Sequence, residues 1–441
     1  MKLKSQFVKE YMKVTIPFMF STLTQPLLSA TDTAVIGHLG SIEDIVGITL
    51  GSTLINTICW IFGFLRVCTT ADSSRAKHSQ NKEDVFRAII MPAFLAFCCG
   101  VFILLMNNII LNTYILWINP QTVITERLTD YYRIIVLGIP FVFINYVILG
   151  WLMGQRRIRQ SLIIQVFGNL LNIILDFIFV MNLNSGVKGV AVATLISQCT
   201  SLIIGVLTLK NDIPKFKQYA NTFLDKNTLF RYLSMSRDLM FRTICLLIHN
   251  NLFVCFSSSF GKDILAANSL IIQCNLLISY LFEGIANGSS TFSGTSYTDD
   301  SGKSLKEIIR ITTKAYLVIA FISVSALQLV GFRLWTVFTD YQPIYEICIS
   351  YQWVVLIFPL ISGIGLSYYG IFSGLGKTKE IALTTFLGLL GFIICSYVMI
   401  QSSGNTGLWI ASLLFYAIRS IGLLIYIPKL YLHLKISVNK P

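Results

Sequence analysis

The chain has 441 residues, of which 54% are hydrophobic and only 12% charged. Soluble domains carry roughly 25% charged residues, so composition excludes a water-soluble fold of one to three domains. The net charge of +13 does not require nucleic acid as a partner, because cytoplasmic loops of membrane proteins collect Lys and Arg.

Taken in chain order, the first segment, Met1 to Lys13, mixes charge and polarity, and the apolar block after it contains Asp32. That pattern is not a cleavable signal peptide. Apolar blocks then recur at 14–38, 45–65, 88–117, 130–152, 160–182, 187–209, 233–257, 264–288, 308–334, 347–372, 380–401 and 406–428. Each is long enough for the ~20 apolar residues that cross ~30 Å of hydrocarbon. The sequence predicts an all-α polytopic membrane protein of twelve spans. Its ten cysteines sit mostly inside these blocks with no C-x-x-C pair, so they read as small buried hydrophobes rather than disulfide or metal ligands.

Charge fixes an orientation. If the N-terminus is cytoplasmic, twenty-six Lys and Arg fall in inside segments and five in outside ones, while Arg66, Arg242 and Arg419 lie within spans. Both termini are therefore expected in the cytoplasm, with the protein in the cell's inner (plasma) membrane. A shift of about 220 residues also reveals self-similarity. Gly150 and Gly154 match Gly370 and Gly374, and Pro140 matches Pro359 within one residue. Two six-helix repeats imply two lobes related by a pseudo-two-fold axis with a central cleft, the layout of a transporter. The expected lobes are 1–209 and 233–441, joined by a charged cytoplasmic linker at 210–232.

Ionisable residues at membrane depth are functional hypotheses by default. Asp32 in span 1, Asp176 in span 5 and Thr194 in span 6 all lie roughly 9–10 Å below the outer edge, at 1.5 Å per residue. Asn172 precedes Asp176 by one turn and shares its face. Two carboxylates, an amide and a hydroxyl at one level can hold a proton or coordinate a small cation, including Na⁺. Position 252, the repeat partner of Asp32, is leucine, so the second half has no equivalent acid. Pro17 and Pro26 interrupt span 1, where proline removes a helical hydrogen bond, and a kinked span bearing the key acid can bend on protonation. Arg66 and Glu283 occupy nearly equivalent places in spans 2 and 8, near their cytoplasmic ends, where they either pair as a gate or snorkel and pair within their own lobes.

These residues carry a resemblance. Gln25-Pro26-Leu27-Leu28 followed by Asp32-Thr33-Ala34-Val35-Ile36-Gly37-His38-Leu39-Gly40 resembles span 1 of the multidrug and toxic compound extrusion (MATE) transporters. Phe62-Gly63-Phe64-Leu65-Arg66 with Thr69-Thr70, Asn172 to Asp176, Gly189-Val190-Ala191-Val192-Ala193-Thr194, Phe241-Arg242, Ala266-Ala267-Asn268 and Glu283-Gly284-Ile285-Ala286 resemble its DNA-damage-inducible F (DinF-like) branch. The resemblance covers nearly the whole chain. It implies two six-helix lobes around a V-shaped cleft, with H⁺ or Na⁺ entry driving export of mostly cationic, amphipathic compounds. It also implies that Asp32, Asn172, Asp176 and Thr194 form the coupling site and that Pro17 is the bending proline. The other large branch keeps acids in spans 7 and 10, which are absent from those span interiors here.

Three other classes share some of these features. The major facilitator class needs a G-x-x-x-D-R signature that 66–87 lacks. A lipid-linked oligosaccharide flippase of the same superfamily is the second reading. A membrane-embedded enzyme finds no H-E-x-x-H, G-x-S-x-G or paired-cysteine motif. The expected partners are small organic substrates and the lipid bilayer, with no nucleic acid, no cofactor beyond the coupling ion, and a monomeric state.

Overall fold

A computed structural model of the chain describes residues 7–20, 22, 42–78, 81–183, 185–210, 212, 226–296, 303–336 and 341–438. Its helices are α1 (residues 7–20), α2 (Ile42–Ile61), α3 (Phe64–His78), α4 (Lys82–Leu105), α5 (Asn107–Ile118), α6 (Thr122–Ile135), α7 (Ile139–Gly154), α8 (Ile158–Phe177) and α9 (Gly186–Thr208). They continue with α10 (Lys226–Ser258), α11 (Lys262–Ser296), α12 (Lys303–Val330), α13 (Arg333–Thr336), α14 (Gln342–Ser350), α15 (Gln352–Gly374) and α16 (Thr378–Val438). Among the described residues there is no strand. Only helices satisfy every backbone group within a span that meets lipid.

Among the described residues, ten helices are long and apolar enough to cross a bilayer. The longest runs Thr378–Leu430, 53 residues, or ~80 Å at 1.5 Å per residue, too long for one crossing of ~30 Å. Gly404 breaks it with φ 55° and ψ −129°, between the apolar blocks 380–401 and 406–428. Large apolar side chains point outward along these helices, with Phe321 72%, Leu329 88% and Tyr397 75% exposed. Such surfaces require a hydrocarbon solvent. The protein is a multi-pass membrane protein.

Two blocks differ from the hydropathy reading. Residues 88–117 divide at Met106 into α4 and α5, where the Asn107 amide donates to the Leu104 carbonyl. The second block ends near 65, yet the chain stays helical to residue 78 after a turn at Phe62–Gly63. The added turns are polar but buried: Thr69 donates to the Leu65 carbonyl at 2.6 Å and Ser73 to the Trp151 carbonyl at 2.9 Å.

The helices form two compact units, one from the described residues of Thr24–Leu233, the other from those of Met1–Leu23 and Ser234–Pro441. In the first, α7 packs on α3 and α4, α2 on α6, and α8 on α9. In the second, α15 packs on α11, α12 and α16. The 220-residue repeat recurs in the contacts themselves. A Cβ on Gly150 would meet the Arg66 carbonyl, and one on Gly370 would meet the Ala286 carbonyl. A Cβ on Gly154 would strike Ser73 and the Thr70 carbonyl, and one on Gly374 would strike Ser293 and the Ser290 carbonyl. Each contact pair maps onto the other by adding 220. These are small-xxx-small surfaces, which let transmembrane backbones touch.

Chain order places residues 7–22 with the 1–209 lobe, whereas the structure groups them with residue 234 onward. The cause is a second small-residue stripe. Gly284 of α11 lies against Met19 and Gly288 against Thr15. Polar contacts flank them: the Tyr11 hydroxyl is 2.7 Å from Ser289 Oγ, and Thr22 donates to the Tyr280 carbonyl at 2.8 Å. Pro17 lies between the two glycine contacts, within the helical run 7–20.

Gly370→Ala forces a methyl into the Ala286 backbone and is expected to cost about 1–3 kcal/mol, as overpacking does. Gly391→Ala, whose Cβ meets only the flexible end of Ile418, should cost less. Thermal melting of both variants in one detergent checks the order.

Candidate functional site

The site is built by the close packing of α8 on α9. Gly168 of α8 has no room for a side chain beside Ser201 of α9, so the two helices run in contact. One turn beyond Gly168 stands Asn172, and one turn further Asp176, both on the buried face. Asn172 is 5% and Asp176 1% exposed. The Asn172 amide donates to Asp176 Oδ2 at 2.9 Å and lies 3.5 Å from Thr194 Oγ1 on α9. Thr194 itself donates to the Val190 carbonyl at 3.1 Å, so its hydroxyl oxygen is left to accept. The helix changes pitch directly after this cluster, with a π-helical turn over Ile178–Asn182. Such turns recur at functional sites.

Three of the four residues expected to couple transport thus converge in one unit. The fourth, Asp32, lies outside the described residues, as does Pro26. Arg66 belongs to one unit and Glu283 to the other. In its own setting, Arg66 begins α3, and its carbonyl accepts from Thr70 at 2.8 Å. Glu283 is exposed on α11, between the buried Phe282 and Gly284.

The second unit uses its corresponding positions differently. Adding 220 to Asp176 and Asn172 gives Ser396 and Phe392, both fully buried. Phe392 meets the His249 ring edge-on at 4.5 Å, and Phe415 stacks on that ring at 4.0 Å with an interplanar angle of 13°. His249 Nε2 is 3.3 Å from Ser412 Oγ and Nδ1 is 3.1 Å from Asn250 Oδ1. With these partners His249 is a satisfied interior histidine.

A polar network in the same unit escaped the sequence. Asn268 donates to Ser257 Oγ and Asn405 Oδ1, both at 2.7 Å, and its own Oδ1 accepts from Asn405 at 3.1 Å and from Trp409 Nε1 at 2.8 Å. Asn268 was visible as an amide in an apolar block. Its partners are not periodic with it, which hid them.

The MatE family model matches residues 17–178 and again 239–398. The chain belongs to the MatE family. As a MatE-family transporter it is similar to DNA damage-inducible protein F of Escherichia coli K12, at 28% identity over 93% of this chain and 90% of the relative. It is 31% identical to multidrug and toxin extrusion protein 2 of Pongo abelii over 43% of this chain and 32% of that one. Its fold matches a crystal structure of MATE in the straight conformation with a TM-score of 0.89, 19% identity and 97% of each chain covered.

Asn172→Leu leaves the buried Asp176 oxygen without its amide donor and is expected to cost about 1–3 kcal/mol. Thr194→Val removes only a long contact and a local helix bond, so its loss should stay nearer 0.5–1 kcal/mol. Melting temperatures of the two variants, read side by side in detergent, check the ranking.

Proposed function

We propose that this MatE-family protein is an antiporter in which inward movement of H⁺ or Na⁺ drives export of amphipathic, mostly cationic organic compounds by alternating access. The observation that carries the reading is the Asn172–Asp176–Thr194 cluster. It is a nearly inaccessible carboxylate backed by two neutral oxygen-bearing groups at one depth of the spans. An ionised carboxylate at that depth is costly to hold alone. It gains most from a proton, or from a cation that meets the Asn172 and Thr194 oxygens as further ligands. Asp32, at the same depth by sequence, is the second acid of the pair, and Pro17 and Pro26 let span 1 answer its change of charge. Arg66 and Glu283 remain the proposed gate.

The cationic preference rests on the family resemblance and on a shortage of fixed charge in the spans, which suits apolar burial with loose polar contacts. The names of relatives such as the Pongo abelii extrusion protein support export as the direction. The charge asymmetry of the loops supports cytoplasmic termini and an inner-membrane location. Transport without a covalent step is the activity assigned.

Substrate efflux from proteoliposomes under separately imposed pH and Na⁺ gradients tests the coupling. Asp32→Asn and Asp176→Asn should each abolish gradient-driven efflux while the protein still inserts. Wild-type rates from both variants would remove the coupling role. A parallel panel of cationic, neutral and anionic dyes tests the cargo, and cations should be exported fastest.

A further inference from the structure

The second unit holds two arginines that form no ion pair among the described residues. Arg242 on α10 and Arg419 on α16 are within electrostatic reach of each other. Arg419 is 5% exposed. The buried Nε of Arg242 has no hydrogen-bond partner among the described residues. Both guanidinium groups lie on aromatic rings instead. Arg242 sits 4.1 Å from the Tyr369 ring centre, and Arg419 sits 5.2 Å from that of Phe415 and 5.8 Å from that of Tyr416.

Nearby carboxylates are otherwise engaged. Asp238, one turn before Arg242, accepts from Arg237 at 3.0 Å on Oδ1 and from Thr378 at 3.0 Å on Oδ2. The charged and polar neighbours acting on Arg419 are Arg242, Tyr416, Tyr369 and Cys245, with no carboxylate among them. Cation–π contact recovers less than desolvation of an unpaired charge costs, so two like charges together are under-compensated. The repeat does not impose them, since subtracting 220 gives Thr22 and Cys199. A charge pattern peculiar to one unit and unfavourable to its packing points to a ligand.

We propose that Arg242 and Arg419 bind an organic carboxylate carried on a flat apolar body. The planar guanidinium fork matches a carboxylate in two parallel hydrogen bonds. Tyr369 and Tyr416, both only partly buried, supply rings on which the rest of the molecule can lie. The site takes the charge opposite to that of the Asp176 cluster and widens the cargo beyond cations.

Benzoate, its neutral isostere benzamide and inorganic phosphate are titrated calorimetrically into the full-length protein in nanodiscs of uncharged lipid. Benzoate should bind saturably, and benzamide about tenfold or more weakly, as loss of a desolvated charge pair demands. Arg419→Gln and Arg242→Gln should each weaken benzoate about as much, while Arg419→Lys retains part of the affinity. If Arg419→Gln does not fold, Arg242→Gln, at a half-buried position, decides alone. Equal binding of benzoate and benzamide, wild-type affinity in the Gln variants, or phosphate binding as tight as benzoate would each overturn the assignment. No gradient is involved, so the result stands apart from the coupling experiment.

Discussion

Backbone-to-backbone contact through paired glycines is the constraint on which the rest of this fold depends. Lipid chains are as apolar as leucine, so helices in a bilayer gain little by burying apolar surface against one another. They gain by touching closely. Gly150 and Gly154 bring α7 onto α3, and Gly370 and Gly374 bring α15 onto α11 at positions 220 residues further on. Because these contacts leave no slack for a methyl group, the helix register in each unit is fixed. A fixed register is what lets a few polar side chains be placed at chosen depths.

On that shared scaffold the two units carry opposite chemistry. The first spends its buried polarity on a carboxylate, an amide and a hydroxyl at Asp176, Asn172 and Thr194. The second fills the corresponding ground with Phe392, Phe415 and His249, and sets Arg242 and Arg419 against aromatic rings. It joins Asn268, Asn405, Ser257 and Trp409 in one hydrogen-bonded ring. Networks of this kind stiffen a bundle. Symmetry of the backbone therefore does not extend to the buried side chains.

Much of this was legible in the sequence, for physical reasons. Hydropathy marks spans because an unsatisfied backbone cannot face lipid. Asn172 and Asp176 read as one face because residues four apart on a helix are neighbours, and the glycine matches at an offset of 220 read as a repeat because small residues mark contact. What was not legible depends on tertiary fit. The docking of α1 on α11 uses Gly284 and Gly288, whose repeat partners are Phe64 and Cys68, so self-similarity gave no hint of it. The continuation of α3 to residue 78 rests on Thr69 and Ser73 bonding within and across helices, invisible to a hydropathy window. The break at Met106 is likewise a local capping event inside an unbroken apolar block. Asp32 and Pro26 lie outside the described residues, so their part in the site rests on sequence alone.

The docking of α1 also sets a timetable for synthesis. Tyr11 finds Ser289 across 278 residues of chain. At about 5–20 residues per second, that partner leaves the ribosome roughly 15–55 s after Tyr11 does. Over this interval Thr22 is covered locally, since its hydroxyl also reaches the Phe18 and Met19 carbonyls at 3.1 and 3.0 Å. Helix α1 thus waits for 278 further residues before its Tyr11 can meet Ser289.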